Sequence, residues 1–361
     1  GGKLLGGGPR IARLAEGDRV ARLPCEPGIL LRRAPGLVRP ASSLIGARRS
    51  LSSVASNVNQ LHHYSKDYSK VADELGDAHA VWEEIWDEAA HQFKRQSWKS
   101  GDLQEFGMDL MLHNKVMRYK TLACGLAHTI GGKLQANNTD DKDHGVDFVS
   151  ILRSALQADP AIRAACAADL RRFRVVDPAV SNLLEVYLFF KGVQAIALQR
   201  VAHHYWTSRG EAGKLIARML QSEMSDVYGV DIHPACKMGW GITIDHATGV
   251  VIGETTTLGD NVYIMHDVTL GATGTSATHD RHPKVGNNVF LGAKCTVLGN
   301  VQIGDGATIA AAAVVTKEVP SGCTAVGVPA KILPPLRRQS PEVIDVSPEN
   351  GDAHPLLGNV K

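Results

Sequence analysis

A chain of 361 residues with 44% hydrophobic and 21% charged residues is long enough for two domains and is not a wholly disordered polymer. Only 5% of the residues are aromatic, so the core is expected to be aliphatic, and a net charge of +2 argues against a protein built around nucleic acid. The six cysteines stand singly, without a Cys-x-x-Cys pair, which argues against a disulfide scaffold or structural zinc and fits a reducing compartment. The most apolar stretch, Leu183 to Leu198, is interrupted by Glu185 and Lys191 and is too short to span a bilayer.

Charge is unevenly spread. Residues 1–55 hold Lys3 and nine arginines against Glu16, Asp18 and Glu26, and end in the run Arg48-Arg49-Ser50-Leu51-Ser52-Ser53. An arginine- and serine-rich, acid-poor leader reads as an organelle transit peptide, plastid slightly favoured over mitochondrion. A basic disordered tail is the alternative, and neither predicts packed structure.

From about Ala78 to Gln221 the pattern is helical. Trp82, Ile85, Trp86, Ala89 and Phe93 form one apolar stripe opposite Glu83, Glu84, Asp87, Glu88 and Lys94. Further helices are predicted over 107–134, 147–173, 182–208 and 211–223, punctuated by Gly145, Asp159-Pro160, Asp177-Pro178 and Gly210. The helical domain is placed at 78–224.

Beyond it the period changes. Ile232, Met238, Ile244 and Val250 recur at steps of six; a two-residue slip restarts the frame at Ile252, Leu258, Ile264 and Leu270. It resumes as Val285, Leu291, Val297, Ile303, Ile309 and Val315, often with glycine after the aliphatic head. A hexapeptide period predicts a triangular β-solenoid, one inward aliphatic residue per side, with about four to five turns over 232–315 in a domain placed at 230–333. A flexible tail is expected over 334–361. The fold class is therefore α+β, a helical domain followed by a parallel β-helix.

Two places in the solenoid carry candidate chemistry. Between Leu270 and Val285 a loop carries Asp280-Arg281-His282-Pro283-Lys284, where Arg281 offers a planar fork for a carboxylate and His282 a hydrogen-bonding group. Asp231-Ile232-His233 and Asp245-His246 lie two hexads apart, and an aspartate-supported histidine can take a proton from a hydroxyl. Spacing alone leaves each of them open to a simpler role in turns or solvated loops.

The runs Val230-Asp-Ile-His-Pro234, Asp245-His-Ala-Thr-Gly249, Val268-Thr-Leu-Gly271, Asp280-Arg-His-Pro-Lys284 and Gly327-Val-Pro-Ala330 resemble serine O-acetyltransferases. Val176-Asp-Pro-Ala-Val180 and Leu188-Phe-Phe-Lys-Gly192 extend the resemblance into the helical half, so that it covers about residues 80–333. It implies a left-handed β-helix and acetyl transfer from acetyl-CoA, as co-substrate, to the L-serine hydroxyl in cysteine biosynthesis. No permanently bound cofactor and no metal are implied. His246 would be the general base, oriented by Asp231. Asp177 and Asp245 would receive the substrate ammonium, Arg281 and His282 its carboxylate. Acetyl-CoA would meet backbone groups at Ala272, Ala293 and Ala311. The resemblance also implies homotrimers with sites between adjacent solenoids, commonly paired into hexamers.

Two features depart from the family pattern. Gly271-Ala272 stands where a glycine pair is usual, within a loop of different length. Family members often carry a terminal isoleucine that enters O-acetylserine sulfhydrylase; Gly358-Asn-Val-Lys361 does not support that partnership. Other readings are a hexapeptide acyltransferase with another acceptor, a γ-carbonic-anhydrase-like protein holding zinc through its solenoid histidines, and an inactive scaffold.

Overall fold

A computed structural model describes residues 78–94, 107–138, 145–274 and 279–335. The expected leader, the middle of the 271–284 loop and the tail beyond 335 lie outside the described residues.

The helical part comprises α1 (Ala78–Lys94), α2 (Met108–Leu112, running into a π turn at His113–Met117), α3 (Leu122–Asn137), α4 (Phe148–Ala158), α5 (Pro160–Val176), α6 (Leu183–Phe189), α7 (Lys191–Ser208) and α8 (Gly210–Tyr228). Three stretches predicted as single helices are each divided. Thr121 accepts from the Cys124 amide and starts α3. Asp159 accepts from the Ala161 amide ahead of Pro160, so the chain restarts there as α5. Phe190, in extended backbone, parts α6 from α7. Each side-chain cap supplies an acceptor to a helix-start N–H that would otherwise be unpaired.

The α1 stripe is narrower than its spacing implied. Val81, Trp82, Ile85 and Ala89 are buried, whereas Trp86 is 37% exposed, its indole donating to the Met117 carbonyl. Helix α7 runs through the centre and is buried over Gly192–Ala202, so its polar residues need internal partners. Gln199 Nε2 donates to the Cys236 carbonyl at 3.0 Å. Arg200 makes a two-pronged pair with Asp169 of α5, at 2.8 and 3.0 Å, and donates to the Gly239 carbonyl at 2.7 Å. Asp169 also accepts from the Ile242 amide at 2.9 Å. These bonds join two helices to the first solenoid coil.

Helix α8 ends at Gly229, whose left-handed backbone (φ 66°) turns the chain into the solenoid one residue later. Three parallel sheets form the sides of a triangular coil. Side A stacks Val230–Ile232, Val250–Ile252, Thr269–Gly271, Thr296–Leu298 and Val314–Val315; side B stacks Lys237–Met238, Thr257–Leu258, Lys284–Val285 and Gln302–Ile303. Side C stacks Thr243–Ile244, Tyr263–Ile264, Phe290–Leu291, Thr308–Ile309 and Thr324–Val326, closed by antiparallel Lys331–Leu333. Every hexad head is buried except Met238, which is half-buried.

Register explains both interruptions. Ile252, Leu270, Val297 and Val315 stack in line below Ile232. A regular coil advances by 18 residues, as from Ile252 to Leu270, but the first takes 20, from Ile232 to Ile252, and the third takes 27, from Leu270 to Val297. The two extra residues of the first coil enlarge the corner after Ile244, between sides C and A. The nine of the third form the loop between sides A and B. Both insertions therefore leave the stacked aliphatic core untouched and enlarge corners.

Candidate active site

The corner between sides C and A carries Asp245 and His246. His246 and Ala247 both have positive φ, 57° and 63°, a conformation costly for residues with a Cβ. Local bonds hold it: the Thr248 amide donates to the His246 carbonyl at 2.7 Å and the Val250 amide to the Ala247 carbonyl at 3.3 Å. Ala247 is buried, so the turn points the His246 ring outward, where its side chain is 69% exposed. Asp245 Oδ2 lies 3.6 Å from His246 Nε2 and accepts from the Tyr263 hydroxyl at 3.0 Å. The His266 ring, one coil below, meets the His246 ring edge-on at 5.7 Å.

The helical part presses against this corner. Gly192 lies so close to side C that an added Cβ would stand 1.9 Å from the Ile244 carbonyl oxygen. Lys191 Nζ donates to Thr248 Oγ1. Asp177, the residue that ends α5, accepts from the Ala179 amide and is near enough to act on Tyr263. Burial, then the charge and hydrogen bond of Asp245 and the charge of Asp177, push the Tyr263 phenol up, which keeps it a donor.

A second cluster occupies the other end of side A. Thr255 Oγ1 accepts from the Arg281 and His282 amides, each at 3.1 Å, anchoring the inserted loop to the coil before it. The Thr255 amide donates to His282 Nδ1 at 3.2 Å, which leaves the proton of a neutral ring on Nε2. Burial, reinforced by the Arg281 charge, holds His282 below the ordinary histidine range. The ring fits only because residue 253 is glycine; a Cβ there would stand 2.1 Å from it. Arg281 lies 3.6 Å from Glu254. His233 also belongs here, its amide-accepting Nδ1 leaving Nε2 as the donor. Burial draws it below its usual value, against the pull of Glu254 and Asp231.

Asp231 thus sits nearer this second group than the base it was expected to orient. Its side chain projects outward from side A, and Oδ1 accepts from Gln221 Nε2 at 2.7 Å. Within one chain the carboxylate beside His246 is Asp245. Ala293 and Ala311 lie on the C/A corner below His246, whereas Ala272 lies at the A/B end. Sequence reasoning missed Tyr263, Thr255, Glu254 and Gln221. Two aromatics in register one coil apart, Tyr263 and Phe290, are the signal that could have drawn attention to the first. Among the described residues, no group of three or more His, Cys, Asp or Glu side chains is placed to hold a metal ion, and no helix is long and apolar enough to cross a membrane.

A helical domain packed on a parallel solenoid of hexapeptide turns, with histidines and carboxylates on its enlarged corners, defines a hexapeptide-repeat acyltransferase. Residues 81–198 match the family profile "Serine acetyltransferase, N-terminal", and 282–317 match "Bacterial transferase hexapeptide (six repeats)". Serine acetyltransferase 2 of Arabidopsis thaliana is 38% identical over 259 residues, 72% of this chain and 76% of the relative. The structure of soybean serine acetyltransferase complexed with serine superposes with TM-score 0.62 at 38% identity, over 71% of this chain and 98% of that one. A serine acetyltransferase in complex with CoA superposes with TM-score 0.62 at 35% identity, over 71% of this chain and 100% of that one. The chain belongs to the serine acetyltransferase family.

Proposed function

We propose that this chain transfers the acetyl group of acetyl-CoA to the hydroxyl of L-serine, with His246 as general base. The observation that carries the reading is the outward, locally braced His246 beside Asp245 at an enlarged solenoid corner. The imidazole takes the hydroxyl proton as the serine oxygen attacks the thioester carbonyl. The tetrahedral intermediate collapses, the carbon–sulfur bond breaks, and the leaving thiolate takes the proton back from the imidazolium. Asp245 and Asp177 receive the ammonium. Both substrates are held together, so proximity replaces an acetyl-enzyme intermediate. The pantetheine arm of acetyl-CoA follows the C/A corner past Ala293 and Ala311.

The remaining serine contacts, Arg281 and His282, stand at the far end of side A in the same chain. We place them against His246 of the partner subunit, so that two solenoids side by side in a trimer complete each site. Asp231, at that same end, then orients His246 of the partner subunit. Neutral His282, donating from Nε2, and Arg281 together suit a carboxylate.

The test is CoA release from acetyl-CoA with and without L-serine, by the wild type and His246→Ala. Serine-dependent release that falls about 10²- to 10⁴-fold in the variant is expected of a general base. Folded wild type that releases CoA equally with and without serine would overturn the reading in favour of another acceptor.

A further inference from the structure

Asp245 has two neighbours competing for one oxygen. Oδ2 accepts from the Tyr263 hydroxyl at 3.0 Å and lies 3.6 Å from His246 Nε2, beyond a hydrogen bond. A carboxylate free to rotate beside an imidazole closes on it as a charge-assisted pair and holds the proton there. A base in that state is already occupied. Tyr263 is itself held: its ring stacks on Phe290, one coil below in register, with centroids 5.3 Å apart and planes at 25°. It projects outward from side C, where the preceding coil has Thr243 and the coil below Phe290 has Thr308, so the aromatic pair is local to this corner.

We infer that Tyr263 is a positioning residue for acetyl transfer, its hydroxyl fixing Asp245 so that the carboxylate faces the substrate ammonium instead of closing on the His246 imidazole. The inference rests on the serine reading above. Tyr263 touches neither His246 nor the reacting atoms; it acts through Asp245. The hydroxyl occupies one oxygen of Asp245 and leaves Oδ1 for the ammonium. The ionisable groups around His246 are Asp245 on its own corner, His266 and Asp267 on the next coil, Lys191 of α7 through Thr248, and Asp177 at the end of α5 through Tyr263. Of these, Asp245 is the acid in salt-bridge range of the imidazole.

Tyr263→Phe keeps the ring and its stack while removing the donor, so the fold is retained. Losing one hydrogen bond to a charged group is expected to raise KM for serine about tenfold while KM for acetyl-CoA stays put. Asp245, released, pairs with His246 and stabilises the imidazolium, so the acid limb of kcat/KM moves to higher pH. In an Asp245→Asn background, adding Tyr263→Phe should change neither quantity further. An unmoved serine KM, an unmoved acid limb, or an undiminished effect in the Asp245→Asn background overturns the inference. Those results come from an enzyme that still turns over serine, and so are distinct from failure of the serine reading. That failure shows as wild type without serine-dependent turnover, and it overturns both.

Discussion

Arg200→Met tests whether the helical part and the solenoid form one mechanical unit at the site. The Arg200 side chain is 7% exposed and that of Asp169 is 2% exposed, so neither charge has water to fall back on. The variant removes both prongs of the pair and the bond to the Gly239 carbonyl. It leaves Asp169 buried, with the Ile242 amide as a remaining donor. Burial already pushes the Asp169 carboxyl up against the pull of Arg200, and without the guanidinium that pressure is unopposed. Removing one partner of a buried pair costs about 3–5 kcal/mol, which at about 2–4 °C per kcal/mol lowers Tm by about 6–20 °C. Thermal unfolding of the full chain followed by circular dichroism reads this directly. The double variant Arg200→Met/Asp169→Leu leaves no buried charge and should lose less than the single one, retaining the penalties of an Ile242 N–H and a Gly239 carbonyl without these partners. Serine KM should rise alongside, because Ile242 lies three residues before Asp245. A single variant within about 1 kcal/mol of wild type, or a double variant less stable than the single, would refute the reasoning.

Three further predictions concern stability. His128, His203, His233 and His282 are all held below the ordinary value of 6.5, chiefly by burial. Below that pH the unfolded chain binds more protons than the folded one, so the stabilisation present above 6.5 is lost as pH falls. Tm should therefore drop between pH 7 and 5, and His203→Gln should flatten the slope; superimposable profiles would contradict this. Gly192→Ala should lower Tm and cut serine turnover, since its Cβ meets the Ile244 backbone at 1.9 Å and overpacking costs about 1–3 kcal/mol. Gly132→Ala, whose nearest atom is Lys115 Nζ at 4.0 Å, should raise Tm in the same assay, helix propensity favouring it by about 1 kcal/mol.

The solenoid was legible because its rule is short-range. An aliphatic residue every six positions must fill a narrow interior, so each head can be read without knowing what lies above it. The helical boundaries were less legible. Phe190 ends α6 through its extended backbone, not through any residue type that breaks helices. Trp86 looked like core because helical spacing places it on the stripe, but α2 and its π turn cover only part of that face and accept just its indole N–H.

The site divides along similar lines. Asp245 and His246 were visible as a polar pair after a buried head, and the two-residue slip beside them is the insertion that enlarges their corner. What the sequence did not convey was which end of side A each residue would occupy. Asp231 and His246 are 15 positions apart, close enough to suggest a pair, yet a triangular coil carries the chain through sides B and C between them. Tyr263 was hidden for a different reason. An aromatic at an outward position reads as surface until the coil above supplies Asp245 and the coil below supplies Phe290.

In the proposed trimer each site would be assembled from two copies, His246 coming from one solenoid and Arg281 with His282 from the next. Co-expressing His246→Ala chains with Arg281→Ala chains, each inactive alone, tests it most directly. Random assembly places an intact His246 against an intact Arg281 in about a quarter of the contacts, so the mixture should recover about a quarter of wild-type serine acetylation. A mixture as inactive as either variant, with mixed oligomers present, would contradict the claim and place both groups in one chain.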